Sequence, residues 1–554
     1  MSASASVTGQ VILKKGMKIR SSVLIKKAVY HLGGTAVDDP VIEVSGNNIV
    51  VDFNGSIMEG NHAFQMPDEF KGLAIRVTGS NITIRNLIAS GYKIGLVATG
   101  VTNLVIEQCN FSYNFRQHLD PSSQNKALEK VLSSQNENDE WLSYGAGIYL
   151  KDCQQAIVKY CKVTGGQNAL LMTQCNNGKI YNNDLSFNSG IGIGIYQSKS
   201  NQFLFNKINF NVRGYTHGVE SDGQGSAGFF VEQGSENIFY RNSATHCGNG
   251  ILFPGKAEGQ LNENGSNDNR IWSNDFSYAA TNSIEIGFSR NVINGNRMFE
   301  SDYGVRAFNL WESNISGNQF RNNKTGIAIE KGHHNQILSN IFYRDQVAIR
   351  LGNSNNDSNN HTGKSRNYLV SLNSFNENPL VYELSGTDSL FIFNNSYAGA
   401  GKVFLTDSTI GFIDSSEMEL LDTTAAYPTV DKPNNPFKGS ITLAGRKNIL
   451  MTEWGPYDFT YPLIWNTNPA ESSGQMEFEV LGPKGTWKII SAKGVKDISL
   501  TNGSFPSRFT ASKTGDEDFI EIIAEFQGES HADIFGRRKA AGRPHRFIFR
   551  KNKD

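Results

Sequence analysis

The sequence has no run of about 18 apolar residues, so no stretch of it reads as a membrane-crossing helix. Its first residues, MSASASV, are small and polar and contain no apolar signal core. Charge of one sign is missing as well. Lys and Arg total 52 against 53 for Asp and Glu, a net charge of -1, which provides no long-range field for steering nucleic acid or an anionic membrane. Five cysteines, Cys109, Cys153, Cys161, Cys175 and Cys247, are too few and wrongly spaced for a disulfide scaffold or a zinc site. With only 14 prolines and 19% charged residues, neither a flexible linker protein nor an ion-pair-laced helical array fits. What is abundant is glycine, 55 residues, together with asparagine, serine and 34 phenylalanines. That combination implies many tight turns around a large buried core.

At roughly 150 residues per domain the length would suggest three or four domains, but internal periodicity overrides that arithmetic. Asn274, Asn296, Asn318 and Asn340 recur at intervals of 22. Around them one phrase returns as NRIWSNDFS, NVINGNRMF, NISGNQF and NQILSNIFY, each followed by a short apolar strand: SIEIGF, GVRAFN, GIAIEK, VAIRLG. Earlier copies give about a dozen coils between residues 77 and 410. Each unit is too short to hold a helix and alternates apolar with polar at period two, a strand signature. Helix-free units of this size stack as a parallel β-helix, each coil pairing its backbone with the coils on either side. The recurring asparagines then bond the next coil through their side-chain amides, forming a ladder. Cys153 and Cys175 are 22 apart, and Cys109 and Cys161 are equivalent once an insertion is removed; they read as stacked buried side chains, with a disulfide inside a stack as the alternative. At this length and period the chain resembles the right-handed, pectate-lyase-like β-helix family, and the resemblance covers most of it.

Function in a solenoid sits where the repeat is interrupted. Insertions fall near 112–145, 213–226, 254–268 and 352–366, and they border one strand of the coil. In that strand, GIxIx, the second and fourth residues point inward. The outward set includes Tyr149, Lys151, Tyr196, Phe230, Glu232, Glu285, Arg306, Phe308, Glu330 and Arg350. Aromatic faces stack on sugar rings, while carboxylates and arginines bond hydroxyls or uronate groups, so this face suits a polysaccharide or oligosaccharide. Glu285 opposite Arg306 also reads simply as a cross-strand ion pair.

The segment from Arg213 to His246 holds the densest set of reactive side chains: Arg213, His217, Glu220, Asp222, Glu232 and His246. Glycoside hydrolysis needs a carboxylic acid and a carboxylate flanking the bond, and their separation sets the stereochemistry. Strand geometry places the Cα atoms of Glu232 and Glu285 about 12 Å apart, so converging side chains fall near the wider, inverting range. The alternative chemistry is β-elimination from a uronate, with His217, Tyr196, Arg213 or Arg306 as base or counter-charge. Calcium held through Glu220 and Asp222 is a weak signal, since no spaced acidic loop accompanies them. No other metal or cofactor is expected. A third reading is a surface protein that binds glycans without cleaving them. For each histidine taken alone, a structural turn position competes with a catalytic one.

The strings NENDEWLSYGAGIYL, TGGQNALLMTQC, RGYTHGV, GQGSAGFFVEQ and NDFSYAATNSIEIGFSRN resemble a group of extracellular bacterial β-helix proteins associated with carbohydrate-active enzymes. The resemblance runs from about residue 77 to 350. It implies a secreted, periplasmic or cell-surface protein from which a leader has been removed. A monomer is expected. The group carries an acidic residue before the glycine of the strand that follows His246; here the position is Asn249.

Beyond about residue 415 the periodicity fades. The expected organisation is an all-β chain: a β-helix over 1–415, a linker over 416–440 with several of the few prolines, and a small antiparallel β-sandwich over 441–554. Trp454, Tyr457, Tyr461 and Trp465 form either a sugar platform or, more simply, packing against the end of the solenoid.

Overall fold

In the computed structural model, described residues are 10–60, 67–117, 136–213, 226–254, 265–352, 365–406 and 426–437, with short strands and their joints beyond 450. The strands between Gln10 and Thr406 pair in parallel, each with its counterpart one coil earlier and one coil later. Three strand rows wind around one core. The first row carries Ala146–Lys151, Leu170–Thr173, Ile191–Tyr196, Ala227–Glu232, Asn249–Leu252, Asn282–Ser289, Tyr303–Trp311, Thr325–Glu330 and Val347–Gly352. The second includes Ile157–Lys159, Ile238–Tyr240 and His333–Leu338. The third is bridged singly at first, as in Asn110 with Lys162, and becomes a five-stranded sheet from Arg297–Phe299 onward.

The inward residues form one continuous core, with Ile148, Ile193, Phe229, Ile251, Ile284, Val305, Ile327 and Ile349 stacked coil upon coil in the first row. Phe320, Phe342 and Phe375 stack in the third at 4.7 and 5.0 Å between ring centroids. The glycine that opens the first-row strand also faces this core. A Cβ on Gly326 would lie 2.8 Å from the Phe342 ring and 2.6 Å from the Ala348 carbonyl oxygen, which explains why the GIxIx phrase keeps its first letter.

The asparagine ladder is present and longer than the four positions that announced it. It runs Asn183, Asn206, Asn242, Asn274, Asn296, Asn318, Asn340, Asn373 and Asn395. At each rung the backbone N–H donates to the Oδ1 of the next; Asn296 does so at 2.9 Å and adds its Nδ2 at 3.0 Å. The same Nδ2 reaches the Ile271 carbonyl at 2.8 Å. All five cysteines are buried free thiols. The Asn110 to Lys162 and Gln154 to Asn176 bridges put Cys109 beside Cys161 and Cys153 beside Cys175, so the stacked reading holds and the disulfide alternative does not.

The segment 426–437 lies across the outside of the second row. Tyr427 stacks on Tyr240 at 5.2 Å and meets Trp272 edge-on at 5.3 Å. Lys179 Nζ donates to the Thr429 carbonyl and the Tyr160 hydroxyl to that of Asp431. Beyond it the pairing turns antiparallel, with one sheet ordered Leu463–Asn466, Gln475–Leu481, Ser507–Lys513, Val495–Thr501 and another ordered Thr486–Lys493, Phe519–Gln527, Pro544–Arg550. Trp465 is on the first of these strands; Trp454, Tyr457 and Tyr461 lie outside the described residues.

Candidate functional site

The outward positions of the first row fall into columns because the registers run without a slip from Tyr149 to Glu285. Tyr149, Leu171, Gly194, Phe230, Leu252, Glu285, Arg306, Ala328 and Arg350 make one column. Lys151, Thr173, Tyr196 and Glu232 make the next, which resumes with Phe308, Glu330 and Gly352.

The first part of this face is covered by the chain itself. The insertion ends in a short 3-10 turn, Glu140–Tyr144, whose Trp141 is fully buried against Tyr149, Leu171, Tyr196, Phe230 and Leu252. Trp141 meets Tyr196 at 5.7 Å and Phe230 at 6.1 Å, both edge-on. Asn136 locks the turn in place: its Nδ2 reaches the Tyr149 hydroxyl and Thr173 Oγ1, and its Oδ1 accepts the Trp141 N–H. Asp139 accepts from the Tyr149 hydroxyl at 3.0 Å and from Lys151 Nζ at 2.7 Å. Tyr149, Tyr196 and Phe230, expected as an open aromatic surface, are therefore buried in a second apolar cluster, because Trp141 removes more apolar surface from water by sitting on them than by staying exposed. Lys151 is engaged by the same turn.

Next to that cluster stands Glu232. One of its carboxylate oxygens, Oε2, is buried without a hydrogen-bond partner among the described residues. Burial pushes its pKa up to about 7, since a desolvated carboxylate is disfavoured relative to the neutral acid. Glu285 has the opposite surroundings. Asn282 Nδ2 donates to its Oε2 at 2.6 Å, and the same Asn282 amide is tied to Asn249 Oδ1, which also accepts from the Thr281 hydroxyl at 3.0 Å. Arg306 is directly opposite Glu285 in the pairing, its guanidinium over the Tyr303 and Phe308 rings at 5.3 and 4.9 Å. Glu285 thus has an amide donor and a neighbouring cation, whereas Glu232 is desolvated. From Glu232 to Glu285 the register is two strands across and two residues along, which strand geometry converts to about 12 Å between Cα atoms.

Other residues singled out in the sequence are placed elsewhere. His246 is buried in the turn between rows, its ring stacked between Phe210 at 4.5 Å and Tyr278 at 4.7 Å. It belongs to a column that also includes Phe187, every member holding a positive φ, which places it as a stacked turn residue away from Glu232 and Glu285 in the strand pairing. Arg213 is buried at the strand entrance with Nη2 on Gln117 Oε1 at 3.1 Å. Arg350 is ion-paired with Glu383 at 2.7 Å. Glu330 pairs in register with Phe308 and Gly352, in the neighbouring column and two strands on from Glu285. His217, Glu220 and Asp222, and with them the calcium expectation, lie outside the described residues. Sequence reasoning passed over Trp141 and Asn282: the first because an insertion's landing place is not periodic, the second because it read as one more turn asparagine. No helix among the described residues is long and apolar enough to cross a membrane.

Two family models match. The one described as "Right handed beta helix region" matches residues 136–274, and the one described as "Periplasmic copper-binding protein (NosD)" matches 264–401. Together with the parallel three-row winding, these matches define a right-handed parallel β-helix fold. Right-handed winding is also what twisted parallel strands favour in their crossovers. No curated protein matches the chain. Among solved structures, a mutant of the periplasmic alginate epimerase AlgG is 11% identical over 68% of this chain and 77% of its own, with a TM-score of 0.37. The family 28 exopolygalacturonase of Yersinia enterocolitica is 10% identical over 70% and 78%, TM-score 0.35. The mannuronan C-5 epimerase AlgE4 A-module of Azotobacter vinelandii is 12% identical over 72% and 91%, TM-score 0.34. Likeness at this level defines neither a reaction nor a substrate. As for copper, no three or more His, Cys, Asp and Glu side chains converge among the described residues; His333 and His334 do touch each other.

Proposed function

We propose that this chain is a polysaccharide-degrading glycoside hydrolase, secreted, periplasmic or displayed at the cell surface, that acts as a monomer on a glycan lying along the first-row face. The observation that carries the reading is the contrast between two carboxyl groups on that face. Glu232, buried and shifted to about 7, is a neutral acid able to protonate a leaving oxygen at near-neutral pH. Glu285, hydrogen-bonded by Asn282 and opposite Arg306, is a carboxylate able to activate water from the other side. Two carboxyls in unlike surroundings, one buried and one hydrogen-bonded beside a cation, are the usual way one site supplies both acid and base. The wide Cα separation favours inversion.

The test is turnover of a panel of plant, algal and bacterial polysaccharides, followed by release of reducing ends. On a substrate so identified, Glu232→Gln and Glu285→Gln are each expected to lower kcat by about 10²- to 10⁴-fold. Unchanged turnover in both variants would sink the hydrolase reading.

A second reading rests on Arg306. A guanidinium beside the catalytic face could neutralise a uronate carboxylate, which is what β-elimination requires. An unsaturated, ultraviolet-absorbing product would establish that lyase chemistry. Retention of a glycan with no cleavage at all would leave a binding protein.

A further inference from the structure

We propose that Trp141 sets chain-end specificity: it walls off the first-row face beside the cleavage pair, so that a glycan enters only by its end and loses one sugar per cleavage. The proposal rests on Glu232 and Glu285 as the acid and base of the hydrolase reading, and adds where along a chain they act. The face has two unlike halves. On one side Tyr149, Leu171, Tyr196, Phe230 and Leu252 share an apolar cluster with Trp141, which is itself 0% exposed. Gly194 stands between Leu171 and Phe230 in the same column and brings no side chain, which leaves space for the indole. Tyr149 and Tyr196 each keep 1% of their surface, so no sugar ring can lie on them. On the other side the column runs Glu285, Arg306, Ala328, Arg350, Glu383 and Leu405, paired strand by strand. All but Ala328 are half-buried or exposed. Five strand spacings separate Glu285 from Leu405, which at about 4.8 Å each make about 24 Å of open face.

The cleavage pair stands at the boundary of the two halves, with one strand, Asn249–Leu252, between Glu232 and Glu285. The spacing of one coil is close to the length of one sugar in an extended glycan. A bond cleaved at the pair therefore has room for about five sugars along the open column, and on the other side only the space before the wall, enough for one. The wall is fixed. Asn136 Nδ2 donates to Thr173 Oγ1 at 2.7 Å and to the Tyr149 hydroxyl at 2.9 Å, while its Oδ1 accepts the Trp141 N–H at 2.7 Å. Swinging the indole aside would break buried hydrogen bonds and return the cluster to water. In each turnover Glu232 gives its proton to the glycosidic oxygen as the C–O bond breaks. The oxygen of a water bonds to the anomeric carbon, and Glu285 takes that water's proton. Solvent then returns a proton from Glu285 to Glu232, so one water is consumed for each sugar freed.

The experiment follows the products of the full chain on xylan, galactan, polygalacturonate, alginate and the other polysaccharides of the panel, by chromatography from the first time point and by viscosity against reducing ends. On whichever is cleaved, a monosaccharide is expected as the single product from the outset, with viscosity falling slowly. At equal mass below saturation, the initial rate is expected to double when chain length is halved, because the number of ends doubles. KM for oligosaccharides is expected to fall with length up to about six sugars and then level off. Trp141→Ala is expected to add longer products. Oligosaccharides of many lengths from the wild type at the first time point would overturn the proposal, while inactivity of Glu232→Gln and Glu285→Gln on the same substrate would keep the hydrolase reading. A folded Trp141→Ala protein that still releases monosaccharide alone would overturn the role of Trp141; if that variant fails to fold, the wild-type product pattern decides. Full activity in both glutamine variants removes the hydrolase reading and this proposal with it.

Discussion

Asp345 stands where a turn ladder calls for asparagine. The rung before it, Asn323, donates its backbone N–H and its Nδ2 to Asp345 Oδ1, both at 2.8 Å. The second oxygen, Oδ2, is buried with no partner, and so is Oδ1 of Asn378 on the following coil. Where an asparagine would offer N–H groups, an ionised aspartate has only acceptors. Burial raises its pKa from 3.8 to about 7; the neutral acid has the hydrogen that the position lacks. Because the folded-state value lies above the unfolded one, this group's contribution is fully present below about pH 4 and is lost as pH rises through 7. Asp345→Asn is therefore expected to stabilise the protein by about 1–3 kcal/mol above pH 7, with the gain shrinking towards pH 4. Thermal unfolding of both proteins across that range checks it. Glu232 titrates in the same range for the same reason, yet on the outer face. If it is the general acid, activity falls as pH rises through about 7, and a flat pH-rate profile there would exclude it from that role. Sequence spacing marked Glu232 but not Asp345, and burial is what separates a ladder defect from a reactive acid.

The coil is the element on which stability rests, and most of it was legible. A 22-residue interval, an asparagine at each turn and a glycine at each strand entrance follow from the need of one coil to bond and pack against the next. Asn318→Ala removes the acceptor for Asn296 and the donor to Asn340. The expected loss is about 1–3 kcal/mol, from buried groups left unpaired, measurable by denaturant unfolding. Gly326→Ala is expected to cost a similar amount, about 1–3 kcal/mol, as overpacking against Phe342. What the repeat did not disclose is the turn chemistry. One residue per corner adopts a positive φ, and beside glycines such as Gly100, Gly165, Gly295 and Gly317 these include Gln174, Gln197, Gln233, Phe210, His246, Tyr278 and Glu312. Their side chains stack outward in columns, so neighbours in the next coil compensate the strain that a lone residue would bear. A histidine in such a column has a reason to be there that involves no proton transfer.

At the scale of the molecule, two segments that break the repeat determine which surfaces stay open. The Glu140–Tyr144 turn seals one end of the first-row face with Trp141, leaving Glu232, Glu285 and Arg306 beside the seal. The 426–437 segment ties the end of the chain to the second row through Tyr427. Tyr427→Ala removes two aromatic contacts worth about 0.5–1.5 kcal/mol each. Faster proteolytic release of the C-terminal part is the expected readout, with the solenoid's own unfolding little changed.

The sequence by itself determined the winding, the ladder, the inward set and the list of outward residues, because each follows from a period that neighbours in space must share. Only the tertiary structure decided which outward residues remain available. Trp141 comes from an insertion with no periodic address, and its landing place buries three aromatics expected to meet substrate. His246 was fixed by the rings stacked on either side of it, and Glu232 acquired its raised pKa from burial beside a cluster that lies over a hundred residues wide in sequence. These are effects of contact between segments whose spacing obeys no repeat.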